Sequence, residues 1–230
     1  MRSSLRKVQK NNKLFWVYAL SSAVYFTQGI EALPSQGLFY YLKDSLHFSP
    51  QKIMVISSIP VSAWLIKPLI GYIIDTFFSK RKWIFISLAV DIVLVLALGL
   101  IKLPLSLVIL ILVLNSADSA FRDVAVDGVM CVEGKRLGVT GKIQSVQWIA
   151  LSCAGIITGV GGGYLAKVWG YKGAFLCLIP VYIIVALPAY FYREDILVQE
   201  KGKRNFIRDF RLIFLDKYIL LIALFIFLYK

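Results

Sequence analysis

The chain has 230 residues, 59% of them hydrophobic and only 17% charged, with a mean hydropathy of +0.74. Soluble domains run at roughly 45–50% apolar and about 25% charged residues, and a soluble monomer with more would expose unusually large apolar patches. A disordered chain, a disulfide-stapled miniprotein and an ordinary cytosolic enzyme are therefore excluded. What remains is an all-helical, multi-pass membrane protein.

The 26 Lys and Arg residues exceed the 13 Asp and Glu residues and leave a net charge of +13. In a soluble domain that excess would point to nucleic acid. Here the basic residues fall between apolar runs, where they report topology, and no nucleic-acid partner is expected. Cys131, Cys153 and Cys177 are odd in number and lack C-x-x-C spacing, while His47 stands alone in a polar connector. No disulfide framework, metal site or cofactor is expected from them.

A bilayer core of about 30 Å needs roughly 20 apolar residues per helical span. The first run, Leu14 to about Leu33, predicts a helix with a kinked extension past Pro34 through Leu38–Leu42. Ser49-Pro50 predicts an N-cap with proline at the first helical position, opening a second span over Ile53–Asp75. A third follows at Trp83–Leu103, and a fourth at Leu105 to about Asp127 turns polar in its second half. The fifth is Ile143–Ala166 and the sixth Ala174–Tyr192. A seventh run, Tyr218–Tyr229, rises only about 18 Å, too short to cross.

These runs predict a six-helix bundle over residues 1–192, a linker over 193–217 and the start of a seventh helix over 218–230. The chain thus reads as the N-terminal part of a longer protein. In the linker, Phe206, Phe210, Leu212 and Ile213 alternate with basic residues, which fits an amphipathic stretch on membrane lipid as well as a plain solvated connector. Connectors on one side of the six spans carry 18 Lys and Arg residues and those on the other side five. The positive-inside rule then places the N-terminus and the linker in the cytoplasm, in the cell membrane.

Ionisable groups inside spans are costly and mark functional sites by default. They are Glu31, Lys67, Asp91, Asp118, Arg122 and Asp123, with Asp75 and Asp127 at span ends. Counting 1.5 Å per residue from those ends sets Lys67, Asp91 and Asp118 at one depth, about 12–14 Å in. A buried Lys67 paired with one or both of those acids is expected. Asn115, Asp118, Ser119, Arg122, Asp123 and Asp127 fall on one face of the fourth helix. Asp118 and Arg122 have the favourable i,i+4 order. Such a face lines a cavity or packs inward as a neutralised network. Four in-span acids stand against two bases, which favours a proton-handling cavity with Asp123 as the proton carrier.

Gly155 and Gly159, with Gly163 one turn on, have the small-xxx-small spacing of close helix packing. No Gly-Lys-[Ser/Thr] follows, so a phosphate loop is not expected. Asp123-Val-Ala-Val-Asp127-Gly128 resembles part of the aspartate motif of CDP-alcohol phosphotransferases, but its spacing is one residue too long and Val129–Val132 replaces the continuation. No catalytic residue and no enzyme activity are expected.

Gly71-Tyr-Ile-Ile-Asp75, followed by Lys80-Arg81-Lys82, resembles the gating signature of the major facilitator superfamily between helices 2 and 3. A narrower likeness runs through Tyr25-Phe-Thr-Gln28-Gly29-Ile30, Trp64-Leu-Ile-Lys67-Pro68-Leu-Ile-Gly71, Asp123-Val-Ala-Val-Asp127, and Gly141-Lys-Ile-Gln144-Ser145. These stretches are similar to the folate–biopterin transporter family. The resemblance implies the N-terminal half of a proton-linked secondary transporter for folates or pterins. Together with the in-span charges this makes Gln28, Glu31, Lys67, Asp118, Arg122, Asp123 and Asp127 the candidate residues of a substrate and proton pathway, Arg122 from its position inside a span alone and not from the family pattern. The partners implied are a small organic substrate, protons, membrane lipid and a missing C-terminal half. A muropeptide-permease-like facilitator and a non-transporting structural or assembly membrane protein are the alternatives.

Overall fold

In the computed structural model, residues 2–194 are described, with side chains from Asn12 onward, together with residues 217, 218, 220, 221 and 225. The chain divides into two units, 1–194 and 195–230. The five described residues of the second unit are helical, and the expected linker and most of the seventh run lie outside the described residues.

The first unit is helical throughout and contains no strand among its described residues. Helix α1 (Arg2–Ile30) ends at a turn over residues 31–34, and the chain resumes as α2 (Ser35–Tyr40) and a π-helical turn, Tyr41–Ser45. The break falls at Pro34, which lacks the backbone N–H a continuous helix would use. Ser49 caps the next helix, α3 (Pro50–Ser58), by accepting the Lys52 N–H, with Pro50 at its first turn. A 3₁₀ segment, Pro60–Ile66, follows and passes into α4 (Lys67–Thr76). Pro60 and Pro68 flank this stretch and deny it two backbone donors.

Ser79 caps α5 (Lys80–Leu100) in the same way, accepting from Lys82. Helix α6 (Leu105–Leu137) runs ten residues beyond the expected end at Asp127 and stops at Gly138, whose φ of 71° suits a glycine cap. Helical structure then continues through Thr140–Leu176 (α7) and Leu178–Phe191 (α8). Within α7 the backbone leaves helical geometry at Gly170, φ 64°. Only glycine takes that conformation without a Cβ penalty, and it separates the expected fifth run from the sixth.

Among the described residues, four segments are long and apolar enough to cross a membrane: Pro50–Thr76, Lys80–Leu100, Leu105–Leu137 and Thr140–Phe191. At 52 residues the last is more than twice the length one crossing needs. Large apolar side chains face outward, with Leu65 81% and Val160 78% exposed. The core instead mixes aliphatic residues such as Leu20, Ile74 and Ile84 with Asp91, Arg122 and Gln147, none of them exposed by more than 2%. Polar residues inside and apolar residues outside is the arrangement a lipid solvent requires.

A close helix approach joins α1 to α7 at Gly29. A Cβ there would lie 2.5 Å from Ala154 Cβ and 2.8 Å from the Leu151 carbonyl. On α7 the tight positions are Gly162, facing the Leu33 carbonyl, and Gly163, facing Gln36, whereas Gly155 and Gly159 have open space around them. Gly29→Ala should therefore cost about 1–3 kcal/mol by overpacking, while Gly155→Ala should leave the unfolding midpoint in detergent unchanged. Equal loss from both substitutions would place the close packing elsewhere.

Candidate functional site

Among the described residues, the in-span charges gather into two polar clusters. The first gathers on α6 between α1, α4 and α7. Lys67, the first residue of α4, forms an ion pair with Asp123. Gln28 Nε2 donates to the other oxygen of Asp123 at 2.6 Å. One turn along α6, Asp127 Oδ1 accepts from the Tyr25 hydroxyl at 2.9 Å and from Gln147 Nε2 at 3.5 Å. The Lys67 ammonium also lies 4.3 Å from the Trp64 ring, a cation–π contact, and the Trp64 indole N–H donates to Ser116 Oγ at 3.0 Å. Asp123 is 4% exposed but Lys67 36%. The pair is thus closed on the acid side and open on the cation side.

The second cluster centres on Arg122, which is fully buried. One terminal nitrogen of its guanidinium binds Asp91 and also donates to Ser87 Oγ, and the other binds Glu31. Around them Ser119 donates to Glu31 at 2.7 Å and Asn115 to Asp91 at 2.7 Å, while the Tyr182 hydroxyl donates to Glu31 at 3.4 Å. Asp118 accepts the Ser87 hydroxyl at 2.6 Å. Helices α1, α5, α6 and α8 are thereby fastened at one point.

The sequence expectations are redistributed by this geometry. Lys67 pairs with Asp123 and not with Asp118 or Asp91. Because α6 continues to Leu137, Asp127 is no helix end but about 15 Å inside one, so depths counted from it come out shallow. Nor does Arg122 pair with Asp118 at i,i+4, since both terminal nitrogens of its fork turn to acids on other helices. Residues absent from the expected site complete it: Tyr25, Trp64, Ser87, Gln147 and Tyr182. Ser87 precedes Asp91 by one helical turn, which is the only sequence signal that could have found it.

The residues of the expected gating motif lie at the α4–α5 turn. Asp75 and Lys80 approach to 3.5 Å, and the Lys80 stem fills the space over Gly128. Arg81 reaches α8, where its Nε and Nη2 donate to the Ala189 and Tyr190 carbonyls at 2.9 and 2.7 Å. It thus satisfies carbonyls that a helix C-terminus leaves free. Lys82 is exposed and its backbone N–H is held by Ser79, while a Cβ at Gly71 would make only an ordinary contact with Val124. Nearby, buried Glu133 binds Lys13 at 2.6 Å and Arg136 at 2.9 Å, joining α1 to α6.

Apolar helices enclosing buried charge define a multi-pass membrane protein. The chain belongs to the BT1 family, which matches residues 28–222. It is 25% identical over 204 residues to a folate-biopterin transporter of Synechocystis sp., covering 86% of this chain and 41% of that protein. It is 29% identical over 199 residues to probable folate-biopterin transporter 4 of Arabidopsis thaliana, covering 83% of this chain and 39% of the relative. Probable folate-biopterin transporter 7 of the same plant is 23% identical over 177 residues. The chain therefore spans about two fifths of the length of these curated relatives. No solved structure matches it significantly.

Proposed function

We propose that this chain forms the N-terminal six-helix half of a secondary transporter of the major facilitator kind, which moves folates, pterins or a related organic solute with protons. The observation that carries the reading is the Lys67–Asp123 pair, set in membrane-crossing segments with its cation partly open. Family membership supports the substrate class.

Secondary transporters hold substrate near the midplane on interrupted helices that rock against a second bundle. Lys67 follows such an interruption, the 3₁₀ turn at Pro60–Ile66. In this reading an anionic substrate group competes with Asp123 for the Lys67 ammonium, and Gln28 and Trp64 frame the same opening. Asp127 offers a further carboxylate acceptor, held from behind by Tyr25 and Gln147. The linker and N-terminus face the cytoplasm, and the rest of the reading frame supplies the second bundle. With Lys67 paired directly to Asp123, Asp123 is the carboxylate a substrate displaces, and the coupling proton rides on another carboxyl.

The test is uptake of labelled folate and biopterin by cells expressing the full-length reading frame. Saturable uptake that increases with an inward proton gradient is expected. Uptake equal to the empty-vector control for both solutes would remove the substrate assignment.

A further inference from the structure

The interior acids are not evenly served by cations. Lys67 takes Asp123, and Arg122 takes Glu31 and Asp91. Asp118 has no ion-pair partner among the described residues; it accepts the Ser87 hydroxyl at 2.6 Å, and that hydroxyl in turn accepts at 3.3 Å from the Arg122 nitrogen that binds Asp91, which sets the two carboxyls side by side. Three carboxyls therefore share one guanidinium, and with all three ionised the cluster would hold two uncompensated negative charges inside the membrane. A buried charge without a counterion is among the costliest arrangements available to a protein. The cluster is also one acceptor short of closure. Arg122 is fully buried, yet its Nε–H has no hydrogen-bond partner.

We infer that the Asp91–Asp118 carboxyl pair is a proton-binding site, with the proton carried on Asp118 and donated toward Asp91. In chemical terms, an Asp118 carboxylate takes up one proton to become a carboxylic acid, and the charge of the cluster rises by one. Asp118 is the member that can exchange that proton. It is partly exposed, whereas Asp91 is fully buried and fixed from two sides by Arg122 and Asn115.

The charged and titratable groups facing the site are Asp91 from α5, Arg122 from α6 itself, Glu31 from α1 and Tyr182 from α8. Ser87, Asn115 and Ser119 are its neutral hydrogen-bonding neighbours. A metal cation is disfavoured because Arg122 already fills the cationic position. The location of the proton does not rest on the transport reading; its use as a coupling proton does.

The experiment is pH-difference infrared spectroscopy of the full-length protein reconstituted in lipid without substrate. A carboxylic-acid C=O band should grow on acidification in the parent protein and in Asp123→Asn. It should be lost by one carboxyl's intensity in Asp118→Asn, whose amide can still bridge Ser87 and Asp91 and so preserve the fold. Ser87→Ala should keep the band but shift its frequency, because it removes a hydrogen bond to that carboxyl. An unchanged band in Asp118→Asn overturns the assignment, as does a Ser87→Ala spectrum identical to the parent. Suppression of the band by sodium at fixed pH would instead show a metal-cation site and also overturn it. Because no substrate is present, failure of the transport reading leaves these spectra untouched.

Discussion

Lys67→Met is expected to abolish uptake and to lower folded yield, and only a change at Asp123 should repair the yield. Asp123 is 4% exposed and is held by Lys67 and Gln28. Removing the ammonium leaves its carboxylate with an amide donor alone. A buried polar group left without its partner costs about 1–3 kcal/mol, more if charged. The lower part of that range applies here, since Lys67 is 36% exposed and part of its attraction is already screened. Lys67→Met with Asp123→Asn removes both charges together and should recover most of the yield by size-exclusion profile, without uptake. The same rescue by Asp118→Asn in place of Asp123→Asn would show that the pairing expected from helix depth is the working one.

The larger effect on stability is expected at Arg122. Its guanidinium is fully buried and binds acids from α1 and α5 at once. Breaking a buried ion pair by removing one partner costs about 3–5 kcal/mol, because the remaining charge is left in the interior. Arg122→Met strands two such acids and should leave little folded protein. Arg122→Lys should fall between the two, since a compact ammonium cannot bridge acids on two helices as a planar fork does. Adding Glu31→Gln and Asp91→Asn to Arg122→Met should restore a measurable unfolding midpoint in detergent. A single Arg122→Met that unfolds at the parent temperature would show that the guanidinium does not hold α1 and α5 to α6.

Much of this architecture is legible in the sequence because lipid imposes a simple rule on it. The Ser49-Pro50 start of α3 and the break at Pro34 follow from local chemistry, and the structure has both. The polar face of α6 was likewise visible as a 3.6-residue pattern inside an apolar run. Partner choice was not. Asp118 and Arg122 are correctly spaced for each other, yet a guanidinium with five donors is better satisfied between two helices than along one. Depth counting also failed where a helix end was assumed, since Asp127 looked terminal only because charged residues follow it. Gly155 and Gly159 carry the pattern of close packing but have open space around them, while Gly29, outside that pattern, is space-limited by Ala154 and Leu151 on α7. Single-chain spacing contains no information about that facing surface.

The interruption before Lys67 has a mechanical consequence. Seven residues, Pro60–Ile66, are wound with 3₁₀ pitch between two α-helical pieces. A 3₁₀ turn advances about 2.0 Å and 120° per residue, against 1.5 Å and 100° in an α-helix. Rewinding the segment to α pitch would shorten it by about 3.5 Å and turn Pro50–Ser58 by about 140° against α4. The segment is in effect a screw cut with two threads, and the ammonium of Lys67 stands at the joint, where axial travel and rotation are exchanged for one another.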